Sequence, residues 1–312
     1  MPNSASNLKS AGNTAGGSRL WGKLSNWWSD SGHAADGKTG IDENSPLENV
    51  SDDSVWSPLR LQLLQDLFGD GQTTPAVEKI APMVFRQLHL DKDCRVVELG
   101  AGLGGFGALL HRDTETRLDA FVDEVELVDR AVAWLETAAP DIKIDRRALN
   151  DTGPKRGFAD AVISKEGLTG VRNKNALFDH AFNLLKPTGK LIFTDLFLTG
   201  DDPECPEVAV WSAMEHRAMF LMNPGRFRDK LYDIGFDMPV MEDITEAYMT
   251  GIRKAFARAP EILANAGDLA ARLQPLLVRE AEYWSRRTTL LESGEAKVWM
   301  VTARVYQGGD VI

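Results

Sequence analysis

RVVELGAGLGGFGALL, residues 95 to 110, is the stretch on which the reading of the chain depends. Val96 and Val97 are apolar and β-branched, as a strand covered on both faces requires. Gly100, Gly102, Gly104 and Gly105 then remove the side chains that would hold a ligand away from the backbone. Phe106, Leu109 and Leu110 resume at helical spacing. Strand, glycine turn and helix follow one another, and the first free N–H groups of the helix are expected to face the crevice at the carboxyl end of the strand. A nucleotide-like ligand suits such a crevice.

Outward from this turn the chain alternates. Upstream, Leu61, Leu64, Leu67 and Phe68 mark one helix and Val77, Ile80, Val84, Phe85 and Leu88 a second. The segment FGDGQTTP at 68–75 breaks the two and reads as a flexible lid. Downstream come strands at 118–122, 142–144, 159–164 and 190–195, separated by helices at 124–137 and 175–185, with a turn at Pro187-Thr188-Gly189. Residues 200–230 carry Trp211, Met214, His216, Met219 and Met222 and are expected to roof a substrate cavity. A strand at 238–241, helix over most of 244–288 and a strand at 297–306 complete the pattern. The expectation is an α/β fold with a doubly wound, mostly parallel, seven-stranded sheet. Residues 1–50, rich in Ser, Gly, Asn and Asp, predict a disordered tail, and 51–312 a single domain with a helical cap at 51–90 and helical additions at 200–230 and 244–290.

With 312 residues and 43% hydrophobic content the chain can bury a normal core. Its formal charge of −11 argues against general nucleic-acid binding, which needs a basic face. Cys94 and Cys205 are too few for a disulfide framework and lack the company a metal requires, so no metal is expected. No run of about 18 apolar residues exists, and the N-terminus lacks a secretory core, so a cytoplasmic protein is expected. Within the tail, Trp21, Trp27 and Trp28 fall on one side of a short helix and suggest contact with a membrane surface or a protein partner.

Glu98 stands two residues before the first glycine, where a carboxylate suits an ammonium-bearing ligand better than a pyrophosphate. S-adenosylmethionine is such a ligand. Glu98-x-Gly100-x-Gly102-x-Gly104 resembles the first motif of class I S-adenosylmethionine-dependent methyltransferases. The order ELGAGLGG, DAVISKEGL, ALFDHAFNLLKPTGKLIFTD, LYDIGFDMPVMEDIT extends that resemblance over about residues 60 to 310 and looks most like the phosphoethanolamine and related small-molecule N-methyltransferases. Phe68-Gly69-Asp70 with Thr73-Thr74 falls where that family has an FGE segment and serines that close over the cofactor. Ser164-Lys165-Glu166 falls where it has Ser-Arg-Asp. The cofactor residues implied are Thr74, Glu98, Gly100, Ala101, Gly102, Gly104 and Ser164, with Asp123 for the ribose and Asn150 or Asp151 near the adenine.

The departures are specific. Val122 occupies the position of the family's ribose acid, so Asp123 must act from one residue further on. Ala148 replaces an Asp near adenine, Gly170 the active-site His, and Leu64 lies near the active-site Tyr. The implied activity is methyl transfer to a small-molecule or lipid-like acceptor, with Glu166, Asp195 and His216 as candidate proton acceptors, each also readable as a capping or surface residue. Two other readings stay open. Gly100, Gly102 and Gly105 fit the G-x-G-x-x-G of nicotinamide-dependent oxidoreductases, and the altered acids and missing His fit a fold that binds without turnover.

Overall fold

The computed structural model describes residues 54–150, 157–201 and 205–306. The tail with Trp21, Trp27 and Trp28, and Asp151, lie outside them. Among the described residues no helix is long and apolar enough to cross a membrane.

Two helices, α1 (Pro58–Phe68) and α2 (Val77–Leu88), precede the sheet. Ser57 caps α1 by accepting from the Arg60 N–H, and Pro58 takes the first helical position, where a missing N–H costs nothing. Then follow β1 (Arg95–Leu99), α3 (Gly105–Thr114), β2 (Arg117–Val122), α4 (Val125–Ala138), β3 (Lys143–Arg146), β4 (Ala159–Lys165), α5 (Lys174–Leu184) and β5 (Leu185–Leu198). The insertion holds α6 (Pro206–Ser212) and leads into α7 (Pro224–Ile234). The chain closes with β6 (Val240–Asp243), α8 (Thr245–Ala257), α9 (Ala259–Asn265), α10 (Ala270–Ser293) and β7 (Ala296–Arg304).

The sheet order is β3-β2-β1-β4-β5-β7-β6. The first five strands run parallel, while β7 is antiparallel to both β5 and β6. Successive strand residues point to opposite faces: Val96, Ile163 and Ile192 join one core with α1, α2, α8 and α10, whereas Val97, Val162 and Phe193 join another with α5 and α7. Both faces are covered, which explains why the inner strands read as nearly continuous apolar runs. The sheet reverses its winding between β1 and β4, and there the loops leave a crevice at the carboxyl ends of the strands.

The fifth strand differs from expectation at both ends. Leu185–Leu198 is a single strand, and the predicted turn lies inside it. Ala159 pairs with Leu185 but Ala161 with Lys190, so Lys186–Gly189 is extra chain accommodated as a bulge, with Thr188 at φ +77.

Candidate active site

A cavity of about 490 Å³ opens at the reversal point. Gly100 and Gly102, both left-handed at φ +72 and +58, form part of its wall. A Cβ on Gly100 would come within 2.6 Å of the Gly167 Cα, so the loops after β1 and β4 cross on bare backbone that no other residue permits. Thr73 and Thr74 face Gly100 and Gly102 from the α1–α2 segment. That segment is anchored: the Gly105 N–H donates to the Gly71 carbonyl (3.2 Å), and Lys165 donates to the Thr74 hydroxyl (2.5 Å).

Several expected positions do not face the cavity. Glu98 is 1% exposed and points under α3 toward Gly107, which has no side chain to obstruct it. Burial pushes its carboxyl up to about 8, against the opposing pull of the Gly107 N–H and Lys165. Ser164 is buried with its hydroxyl against Gly167. The Ala101 N–H, like that of Gly100, is spent on the Phe121 carbonyl. Gly104 starts α3 at φ +91 and packs on Leu135, so its glycine is required by the helix junction. Asn150 lies outside the wall. The helix N-terminus is therefore less open than the sequence suggests, because Gly105 and Gly107 have internal acceptors.

Asp123 does line the cavity, and its carboxylate meets Arg217 at 3.3 Å. Arg217 also reaches Glu124 (3.1 Å), which accepts from the Trp56 indole. The Arg217 guanidinium occupies the space over Gly170, where a Cβ would lie 2.6 Å from its Nε.

The three candidate bases separate clearly. Glu166, left-handed at φ +57, accepts from Tyr248 Oη (2.6 Å), Arg287 Nη1 (3.1 Å) and Lys165 Nζ (3.2 Å), and so is committed to the interior. Asp195 accepts from the N–H groups of Leu168 (3.0 Å) and Leu196 (2.8 Å) and from the Thr169 hydroxyl. Burial nonetheless raises its pKa. His216 stacks on Tyr283, with ring centres 5.6 Å apart and planes within 8°, and meets the edge of Trp56. Burial and the Arg60 charge lower its pKa, which favours the neutral imidazole. Of the three, only His216 makes no hydrogen bond to a side chain or backbone group among the described residues, and it lines the cavity.

Arg287 and its partners other than Glu166, the centre of the inner wall, escaped sequence reasoning. Its guanidinium joins Glu166, Glu215 (2.6 Å), Tyr248 (2.9 Å) and Tyr283 (2.7 Å), and lies over the Trp284 ring. Burial acts to raise the Glu215 carboxyl, but Arg287 and the Tyr283 hydroxyl bring it below the ordinary value. Arg60 makes a second buried pair with Glu280 at 2.5 Å. The signal was present in EAEYWSRR, residues 280–287, where Glu280, Tyr283, Trp284 and Arg287 share the apolar face of α10. Trp211, expected in the roof, is 1% exposed and belongs to the core; Glu215, His216, Arg217 and Met219 represent the insertion in the cavity instead.

No protein-family model matches the chain. It is similar to phosphoethanolamine N-methyltransferase 3 of Arabidopsis thaliana, 19% identical over 217 residues that make up 70% of this chain and 44% of the relative. It is also similar to the Plasmodium falciparum phosphoethanolamine N-methyltransferase, 22% identical over 219 residues, 64% of this chain and 77% of that one. Thus the chain spans less than half the length of the plant relatives it matches. Among solved structures, Haemonchus contortus phosphoethanolamine N-methyltransferase 2, in complex with phosphomonomethylethanolamine and S-adenosylhomocysteine, superposes with TM-score 0.69 at 14% identity, covering 78% of this chain and 57% of that one. The fold is that of the class I methyltransferases. Within that fold the geranyl diphosphate C-methyltransferase of Streptomyces coelicolor also superposes, with TM-score 0.57 and 16% identity over 73% of this chain and 79% of its own. The class I methyltransferase fold thus carries acceptors as different as a phosphobase and a prenyl diphosphate, so the acceptor must be argued from this chain's own wall.

Proposed function

We propose that the chain is an S-adenosylmethionine-dependent methyltransferase acting on a small-molecule or lipid-like acceptor. The observation that carries this reading is the glycine-walled cavity at the sheet reversal, facing Thr73 and Thr74. The residues fit the cofactor: Gly100 and Gly102 leave the backbone bare, and Asp123 faces the cavity to accept hydroxyls. When bound, the cofactor supplies a methyl group on a sulfonium, an excellent leaving group. The protein then needs to align the acceptor with that methyl and keep water out. Trp56, Leu64, Leu196, Met219 and Tyr283 provide apolar walls for both tasks. His216 takes the proton that the acceptor's nucleophilic atom releases.

The acceptor is more apolar than a phosphobase. Arg60 and Arg287 are already paired with Glu280, Glu166 and Glu215, and Arg217 with Asp123 and Glu124, so free phosphate would find no uncommitted arginine in the wall. Purified protein should methylate phosphoethanolamine poorly; efficient turnover of it would overturn this assignment. For the cofactor, isothermal titration should show S-adenosylhomocysteine binding with Kd on the order of micromolar and no binding of NADH. Gly102→Val should abolish it, because the left-handed backbone there excludes a β-branched side chain and Thr73 Oγ1 stands 3.2 Å from the new Cβ. Retained affinity in that variant would remove the glycine turn from the site.

A further inference from the structure

A second cavity, of about 350 Å³, lies between the N-terminal ends of α5 and α7. It backs on the same segment as the first: Thr169 lines the first cavity, and its carbonyl accepts from Lys174 Nζ and the Phe220 N–H, both of residues that line the second. Among the described residues its wall carries Arg172, Lys174, Arg226 and Lys230 against one carboxylate, Asp201. In a chain of net charge −11 this is a local reversal of sign.

The cations are poorly answered within the described residues. Arg226 meets Asp201 at 3.7 Å with both side chains 73% exposed, a contact that water and salt largely screen. Lys230 finds the neutral Asn175 amide oxygen and Arg172 the face of Phe220, while Lys174 turns inward to the carbonyls of Leu168 and Thr169 and the charge of Asp195. Arg226 and Lys230 are also four apart on one helix, a spacing at which like charges repel. Between the cations lie Phe220, Met222 and Leu198, an apolar patch. Burial holds the Lys174 ammonium down to about 8, a position that an incoming anion would reverse.

We infer that this second cavity binds a small organic phosphate, its dianionic head among Arg172, Arg226 and Lys230 and its apolar part against Phe220 and Met222. A phosphate dianion answers several cations at once and accepts from the guanidinium forks in pairs, which a single carboxylate does less completely. The site is separate from the proposed methyl transfer and stands or falls without it.

The test is calorimetric titration of the full chain with phenyl phosphate, inorganic phosphate and benzoate, with and without saturating S-adenosylhomocysteine. Phenyl phosphate should bind most tightly, unaffected by the nucleoside. Arg226→Gln with Lys230→Gln, surface changes whose fold is checked by circular dichroism, should weaken it on the order of tenfold or more. Absence of saturable binding, full binding by the double variant, or displacement by S-adenosylhomocysteine would overturn the assignment. So would association with phosphatidic acid vesicles that is lost in the double variant while phenyl phosphate does not bind, since the site would then read a lipid surface.

Discussion

Glu98 shows how one side chain can connect fold and stability. Its carboxyl ordinarily titrates at 4.5 and in the fold at about 8, so between these values the folded chain holds a proton that the unfolded chain has released. Stability contributed at this site therefore falls as pH rises, by about 2 kcal/mol between about pH 5 and about pH 7. Urea unfolding across that range should show a steeper loss in the native chain than in Glu98→Gln, which is expected to be the more stable at neutral pH without ligand. Equal slopes would mean that Glu98 is ionised in the fold. Gly100 and Gly102 were legible in the sequence because a left-handed backbone is a local demand that one residue type meets. Glu98 was legible as a special acid but not in its direction: the missing side chain at Gly107 decides that it turns under α3.

At the scale of elements, α10 joins the interior together. Arg287 links it to the end of β4 through Glu166, to α8 through Tyr248 and to the insertion through Glu215. Arg287→Ala would strand two buried carboxylates and should cost about 3–5 kcal/mol in denaturant unfolding. Arg287→Lys should recover little of this, since an ammonium cannot span both carboxylates as the planar fork does. A loss below about 1 kcal/mol, the level of an exposed pair, would contradict the buried cluster. The insertion contributes in two ways that its composition did not separate. Trp211 fills the core, so Trp211→Ala should lower stability by about 3–5 kcal/mol while leaving affinity for S-adenosylhomocysteine nearly unchanged. A variant that kept full stability would return Trp211 to the cavity roof. Element types followed from periodicity along the chain. The bulge at Lys186–Gly189 did not, because Pro187, Thr188 and Gly189 read locally as a turn and only pairing with β4 draws them into a strand.

For the molecule as a whole, we expect the change of composition near residue 50 to mark the edge of the folded domain. Removing residues 1–50 should leave the Tm and nucleoside affinity nearly unchanged, and a large fall in either would make Trp21, Trp27 and Trp28 part of the core. The sequence by itself determined the order of strands and helices, the mostly parallel sheet and the place of the crevice, because apolar period, glycine backbone freedom and helix signals act between near neighbours. The tertiary structure alone decided which polar groups face that crevice and which are spent in the interior. Arg60 and Glu280, 220 residues apart, form a buried pair, and Arg287 reaches Glu166 across 121. Charges buried together must find partners wherever the fold brings them, and no periodicity along the chain records that choice.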